Sequence, residues 1–191
     1  ESIAGTITAF DAFLGILGLD MTYIMDFVGT ARSNVGFVGV VRASTEIVIF
    51  ILIGRAKKLP PYWVLLTISS ALIAGEHLLY PTMNSLGDML AVTLLSGVAG
   101  GFYYGIGANY VFKIVDHRAA STAMSVLGVV KALIGIAGNG IGGIIIDKFG
   151  VITLTTSVGI IAVVMTVLFL ISCILGRFVW KIPYVSEKQT A

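Results

Sequence analysis

Between Arg118 and Asp147 the chain runs through 28 residues, AASTAMSVLGVVKALIGIAGNGIGGIII, in which Lys131 carries the only charge. A run of that length and apolarity crosses the ~30 Å hydrocarbon layer of a bilayer as one helix. Within the layer every backbone N–H and C=O has to be satisfied inside the segment, which leaves helices and closed barrels as the spanning forms. Lys131 then falls near the membrane centre, where an unpaired ammonium costs about 3 kcal/mol or more. Carboxylates at similar depth on other helices are the expected partners. Charges held together in the lipid interior are also how a polar pathway through a membrane protein is built.

The rest of the chain repeats this pattern. Apolar runs near 3–27, 34–54, 61–80, 88–112, 119–146 and 151–176 give six candidate transmembrane helices joined by short connections. Each is about twice the length a barrel strand needs, and none alternates apolar with polar residues, so a barrel is excluded. With 57% hydrophobic and 12% charged residues, the chain is an integral all-α membrane protein rather than a soluble domain. Cys173 is its single cysteine, which rules out an internal disulfide framework and gives no metal-ligand spacing. The net charge of +2 is distributed along the chain, so nucleic acid is not an expected partner. Glu1, Ser2 and Asp11 in the first run argue against a cleaved signal peptide.

Basic residues indicate the orientation. Arg55, Lys57 and Lys58 follow the second run, Lys113 and Arg118 the fourth, and Arg177, Lys181 and Lys188 the sixth, whereas the alternate connections hold only Arg32 and Lys148. This bias places both chain ends in the cytoplasm. Tyr62, Trp63 and Trp180 are then expected at the inner interface and Tyr80 at the outer one. GRAKKLPPYW after the second run and DKFGVIT after the fifth are both charged, tight connections. They suggest two sets of three helices, and because three is odd the second set is inverted, a 3+3 inverted repeat.

Glycine occupies 23 of the 191 positions. Gly97, Gly101 and Gly105 recur at every fourth residue, as do Gly138 and Gly142, and such small-residue stripes let membrane helices approach closely. A hinge or gate is the sharper reading of the same stripes. Gly138, Gly140 and Gly143 also match a dinucleotide-binding spacing, but no strand precedes them and no helix N-terminus faces water there. No cofactor and no metal are expected.

The charged residues within the runs form the candidate site. Counting 1.5 Å per residue, Asp11 lies about 12 Å into the first helix, Glu46 about 18 Å into the second and Lys131 about 18 Å into the fifth, so their depths overlap. Arg42 stands one turn from Glu46 on the same helix face. Two acids and two bases sum to zero, as a buried network requires if it is to stay charged. The plain reading is a pair of structural salt bridges fixing helix order. The functional one, favoured for ionisable groups inside a membrane, is a substrate or proton pathway. Glu46 is the candidate proton carrier, since a dry cavity favours its neutral form and the guanidinium of Arg42 its charged form, so moving Arg42 switches it. Tyr103, Tyr104 and Asn109 of the fourth helix and Asn139 of the fifth are candidates to hydrogen-bond or stack on a sugar. Glu76 and His77, near the outer end of the third helix, are expected to be interfacial and hydrated, and Asp20 and Asp26 to lie toward the outer mouth.

The stretch RAASTAMSVLGVVKALIGIAGNGIGGIIIDKFG, from Arg118 to Gly150, resembles the eleventh helix of major facilitator transporters. The six-helix pattern resembles their C-terminal half over nearly the whole chain, and GIIIDKFG is similar to the loop signature closing that helix. The branch it resembles is that of oligosaccharide and proton symporters typified by lactose permease. By that resemblance Lys131 pairs with Asp11, and Arg42 and Glu46 match charged residues of the eighth helix. It further implies six more helices before Glu1, a substrate bound between the two halves, protons as the coupling ion and a cell-membrane location. One departure stands out: MLAVTLLSGVAGGFYYGIGANYVF of the fourth helix lacks the lysine, histidine and glutamate of the lactose permease pattern. Coupling through Glu46 alone, export, or facilitated passage are the alternatives this leaves open. An efflux antiporter of the same superfamily would use the same scaffold. A self-contained six-helix channel or an intramembrane enzyme finds less support, because the chain has no Asn-Pro-Ala repeat and no Ser and His pair at matched depth.

Overall fold

A computed structural model describes residues 20–56, 58–114 and 119–178. Its elements are a short helix α1 (Asp20–Val28) and the long helices α2 (Val35–Arg55), α3 (Tyr62–Leu79), α4 (Leu86–Ile114), α5 (Ala120–Phe149) and α6 (Val151–Phe178). Single 3-10 turns at Arg32–Asn34 and Tyr80–Thr82 precede α2 and follow α3. Among the described residues five helices are long and apolar enough to cross a membrane. Their ends fall within three residues of the runs expected at 34–54, 61–80, 88–112, 119–146 and 151–176. Of the first run, 3–27, only the end is described, and residues 3–19 lie outside the described residues.

Local chemistry sets the ends. Gly29 has φ of +74° in the turn after α1, a conformation that side chains disfavour. Across that turn Arg32 grips Asp26 with two hydrogen bonds, Nε to Oδ1 at 2.9 Å and Nη2 to Oδ2. Pro61 immediately precedes α3, where a missing N–H costs nothing, and Pro81 sits in the turn that ends it. At the start of α4 the N–H of Asp88 donates to Ser85 Oγ at 3.2 Å, while Asp88 Oδ2 accepts from the Asn84 N–H at 3.1 Å. This is the reciprocal logic of a capping box, shifted back one residue. Gly150 alone joins α5 to α6, with φ of +82°. Its N–H caps the carbonyl of Ile146 at 2.9 Å.

The helices pack out of chain order. α4 lies between α2 and α3, and α3 between α4 and α6, while α5 rests mainly on α6. Tyr62, Leu65, Leu66 and Ile73 of α3 meet Ala99, Tyr103 and Ile106 of α4 and Phe169 and Cys173 of α6 in one buried cluster. A second cluster joins Ile24 and Met25 of α1, Val38 of α2, Tyr80, Met83, and Met89 and Val92 of α4. Polar side chains stitch the central helices together. Ser69 Oγ donates to the Ala99 carbonyl at 2.7 Å, and Ser70 shares a short hydrogen bond with Thr166.

Tyr62 and Tyr80 stand at opposite ends of α3 and are buried in these clusters, because neighbouring helices cover both ends of the helix. Trp180 lies outside the described residues.

Candidate functional site

α2 is 21 residues long, about 31 Å, which matches the hydrocarbon thickness. Arg42 and Glu46 therefore stand about 10 and 17 Å from its start. The Glu46 carboxylate and the Arg42 backbone lie on the seam with α4. Arg42 Nε donates to Glu46 Oε1 at 3.1 Å across one helical turn. The Glu46 side chain keeps 20% of its surface and that of Arg42 43%, so the pair is half-buried and open on one side.

Glycine makes the seam close enough for this. A Cβ at Gly97 would lie 2.5 Å from Thr45 Cβ and 2.8 Å from the Arg42 carbonyl oxygen. One at Gly101 would lie 2.5 Å from Ile49 Cβ, and one at Gly105 3.1 Å from Ile53 Cδ1. The stripe expected for close packing is thus the surface on which α2 lies. Gly100 was not part of that stripe, yet a Cβ there would fall 2.5 Å from Glu46 Oε1. The absent side chain is the seat of the carboxylate. Gly138 and Gly142 of the second stripe are buried on α5.

The expectation that Glu76 and His77 are hydrated is overturned. They are 4% and 2% exposed, covered where α3 runs between α4 and α6. Tyr80 Oη donates to Glu76 Oε1, and His77 Nδ1 lies 2.8 Å from the Ile73 carbonyl oxygen. The rings of His77 and Tyr80 meet edge to face at 5.3 Å. Position in the sequence signalled a helix end. The burial comes from neighbours far along the chain.

The remaining candidates are placed as follows. Tyr103 is 4% exposed within the α3, α4 and α6 cluster, whereas its edge-to-face neighbour Tyr104 is 52% exposed. Of these two, Tyr104 is the one presented outward. Asn139 is exposed on α5. Lys131 and Asn109 occupy positions within α5 and α4, with side chains outside the described set, and Asp11 lies outside the described residues. The pairing of Asp11 with Lys131 stays an expectation. Asp26 is exposed and paired with Arg32. Gly138, Gly140 and Gly143 are all helical, and among the described residues no cluster of His, Cys, Asp or Glu could hold a metal ion.

Residues 3–157 match the MFS_1 like family. Comparison with curated proteins and with solved structures finds no match.

Proposed function

The chain belongs to the MFS_1 like family of the major facilitator superfamily, and from that premise we propose that it is one half of a proton-coupled transporter for a sugar or another small polar solute. It is a multi-pass membrane protein of a transporter class. In our reading six helices, the sixth completed by residues before Asp20, form a 3+3 inverted repeat that rocks against an N-terminal half of equal size. Both ends of the chain face the cytoplasm of a cell membrane. The substrate binds between the halves, reached by Arg42, Glu46 and Tyr104 and by Lys131 paired with Asp11. Tyr103, Asn109 and Asn139 complete the candidate set.

One observation carries this reading: an ion pair of Arg42 and Glu46, half-buried about midway along a membrane-length helix, in a seat cleared by Gly100. Ionisable groups at that depth are costly and tend to mark ion or substrate pathways. Glu46 takes up a proton when Arg42 swings away and releases it when the pair re-forms. Substrate hydroxyls competing for Arg42 would link the two events. That α4 carries no acid, base or histidine between Met89 and Phe112 concentrates the coupling on α2 and α3.

The test uses the full-length protein reconstituted into vesicles with an imposed inward proton gradient and labelled di- and trisaccharides. Wild-type protein should accumulate one of them. Glu46→Gln should still bind and exchange it without accumulation, and Lys131→Ala should alter binding or assembly. Accumulation by Glu46→Gln at the wild-type level overturns the assignment. Export along the opposite gradient would identify an antiporter.

A further inference from the structure

The link from α2 to α3 is basic and has no acid beside it in the chain. Arg55 ends α2 and Lys58 follows it in the link, both exposed, and no Asp or Glu occurs between Glu46 and Glu76. Lys57 lies outside the described residues. Among the described residues neither Arg55 nor Lys58 enters an ion pair, those present being Asp26 with Arg32 and Arg42 with Glu46. Leu59 packs on the buried cluster of α3, α4 and α6, and Pro60 and Pro61 stiffen the chain behind it. The link is thus held in place with its cations exposed.

The same end of the bundle has a basic excess. Gly97, Gly101 and Gly105 of α4 meet Thr45, Ile49 and Ile53 of α2 in ascending order, so these helices run parallel and finish on one side. Gly159 of α6 meets Leu78 of α3, and Thr166 meets Ser70, so α6 runs against α3 and finishes there too. The sequence that closes α4 and opens α5 adds Lys113, His117 and Arg118 against Asp116, and from the end of α6 onward come Arg177, Lys181 and Lys188 against Glu187. The side chains of these residues lie outside the described set. The opposite end presents Asp26, Asp88 and Asp147, all exposed, against Arg32 and Lys148.

α3 supplies an apolar track leading away from the cations. α4 and α6 cover its other sides and leave Pro61, Val64, Ile68 and Ala71 open or half-open, at the three- and four-residue spacing of one helix face. Thr67 beside them hides its hydroxyl on the Trp63 carbonyl at 2.7 Å. From Pro61 to Ala71 the track is about 15 Å long, the depth of hydrocarbon in one leaflet. Lys58 stands at most about 10 Å of chain before its start.

We propose that a phospholipid with a net negative headgroup seats here, its phosphate at Arg55 and Lys58 and an acyl chain along 61–71 of α3. A zwitterionic lipid would fill the track equally well, but its own cation already balances its phosphate. A second copy of the chain in the same membrane would bring one basic end against another, and like charges oppose that pairing. The seat depends neither on the transport reading nor on which leaflet holds the link.

Trp63, half-buried one turn from the link, can report on occupancy. The full-length protein, with Trp63 as its only tryptophan and the others replaced by phenylalanine, is reconstituted in phosphatidylcholine vesicles. These contain increasing fractions of either phosphatidylglycerol or phosphatidylcholine brominated near the headgroup, and bromine quenches tryptophan on contact. Brominated phosphatidylglycerol should reach half-quenching at a lower fraction, by about fivefold for each cation engaged. Arg55→Gln with Lys58→Gln should abolish the difference, and Lys148→Gln, at the opposite end, should keep it. Soluble glycerol phosphate should not relieve the quenching. Equal quenching by the two lipids in the parent protein overturns the proposal without recourse to any variant, as does quenching by neither, which would mean that protein covers the track. A preference that survives in the double variant, or is lost in Lys148→Gln, overturns it as well by leaving only the general field of the protein. Relief by glycerol phosphate would assign the cations to a soluble anion and remove the lipid.

Discussion

At the scale of single residues, three glycines of α4 divide between two jobs. Gly97 and Gly101 face atoms that cannot yield: Thr45 Cβ and the Arg42 carbonyl in one case, Ile49 Cβ in the other. Gly97→Ala or Gly101→Ala has to push α2 away from α4, and the overpacking should cost about 1–3 kcal/mol, read as a lower thermal midpoint in detergent. Gly100 faces the end of a flexible side chain, the carboxylate of Glu46. Gly100→Ala should therefore fold almost as well as wild type while displacing Glu46 from Arg42. Solute flux should fall several-fold with little change in melting, and Gly107→Ala, where a Cβ meets nothing within 4 Å, serves as the neutral control. The Arg42 and Glu46 pair was legible because four-residue spacing on a helix is a local rule. Gly100 was not, since a four-residue stripe picks out one helix face and the carboxylate seat lies one position off it. Glu76 and His77 were misjudged for a related reason: nearness to a helix end says nothing about which other helices cover that end.

At the scale of elements, α3 is enclosed between α4 and α6, and its serines explain how it is held. Ser69 is completely buried and bonds the Ala99 carbonyl on α4, whereas Thr67 Oγ1 turns back to the Trp63 carbonyl of its own helix. Ser69→Ala should destabilise the fold by about 0.5–1.5 kcal/mol, in the range of interhelical hydrogen bonds in membranes, and Thr67→Ala by less, measured by chemical unfolding in mixed micelles. The other exacting element is the link between α5 and α6. Gly150 combines φ of +82° with ψ of 161°, a region open essentially to glycine alone. Gly150→Ala should cost about 1–3 kcal/mol although no atom lies within 4 Å of the added carbon. The same assay should separate this backbone strain from crowding, because Gly150→Ser should be no worse than Gly150→Ala. Helix limits were readable from sequence because apolar runs, prolines and glycines mark them chemically. The packing order was not, because α4 inserts between α2 and α3 through contacts among distant residues.

At the scale of the whole molecule, the exposed surface records what has to cover it. Phe37, Val40 and Leu52 on α2 and Leu133, Ile136 and Ile141 on α5 are all more than half exposed, a pattern suited to lipid or to a second bundle and foreign to water. The two short links of α3 then have to emerge on opposite sides of the membrane, because Tyr62–Leu79 spans about 27 Å as a single helix. Lys58 and Asn84, one before α3 and one after it, are both exposed. Cysteines introduced at these positions should react with a membrane-impermeant thiol reagent from opposite faces of sealed vesicles, while buried Cys173 stays silent as an internal control. In the orientation proposed above, the Lys58 face, with the basic cluster of Arg55, Lys57 and Lys58, should be the cytoplasmic one. Labelling of both positions from one face would break α3 as a span and with it the alternation on which the inverted repeat depends. Opposite labelling with Lys58 outside would keep the span and reverse the orientation, so the proton gradient that drives accumulation would have to be imposed from the other side.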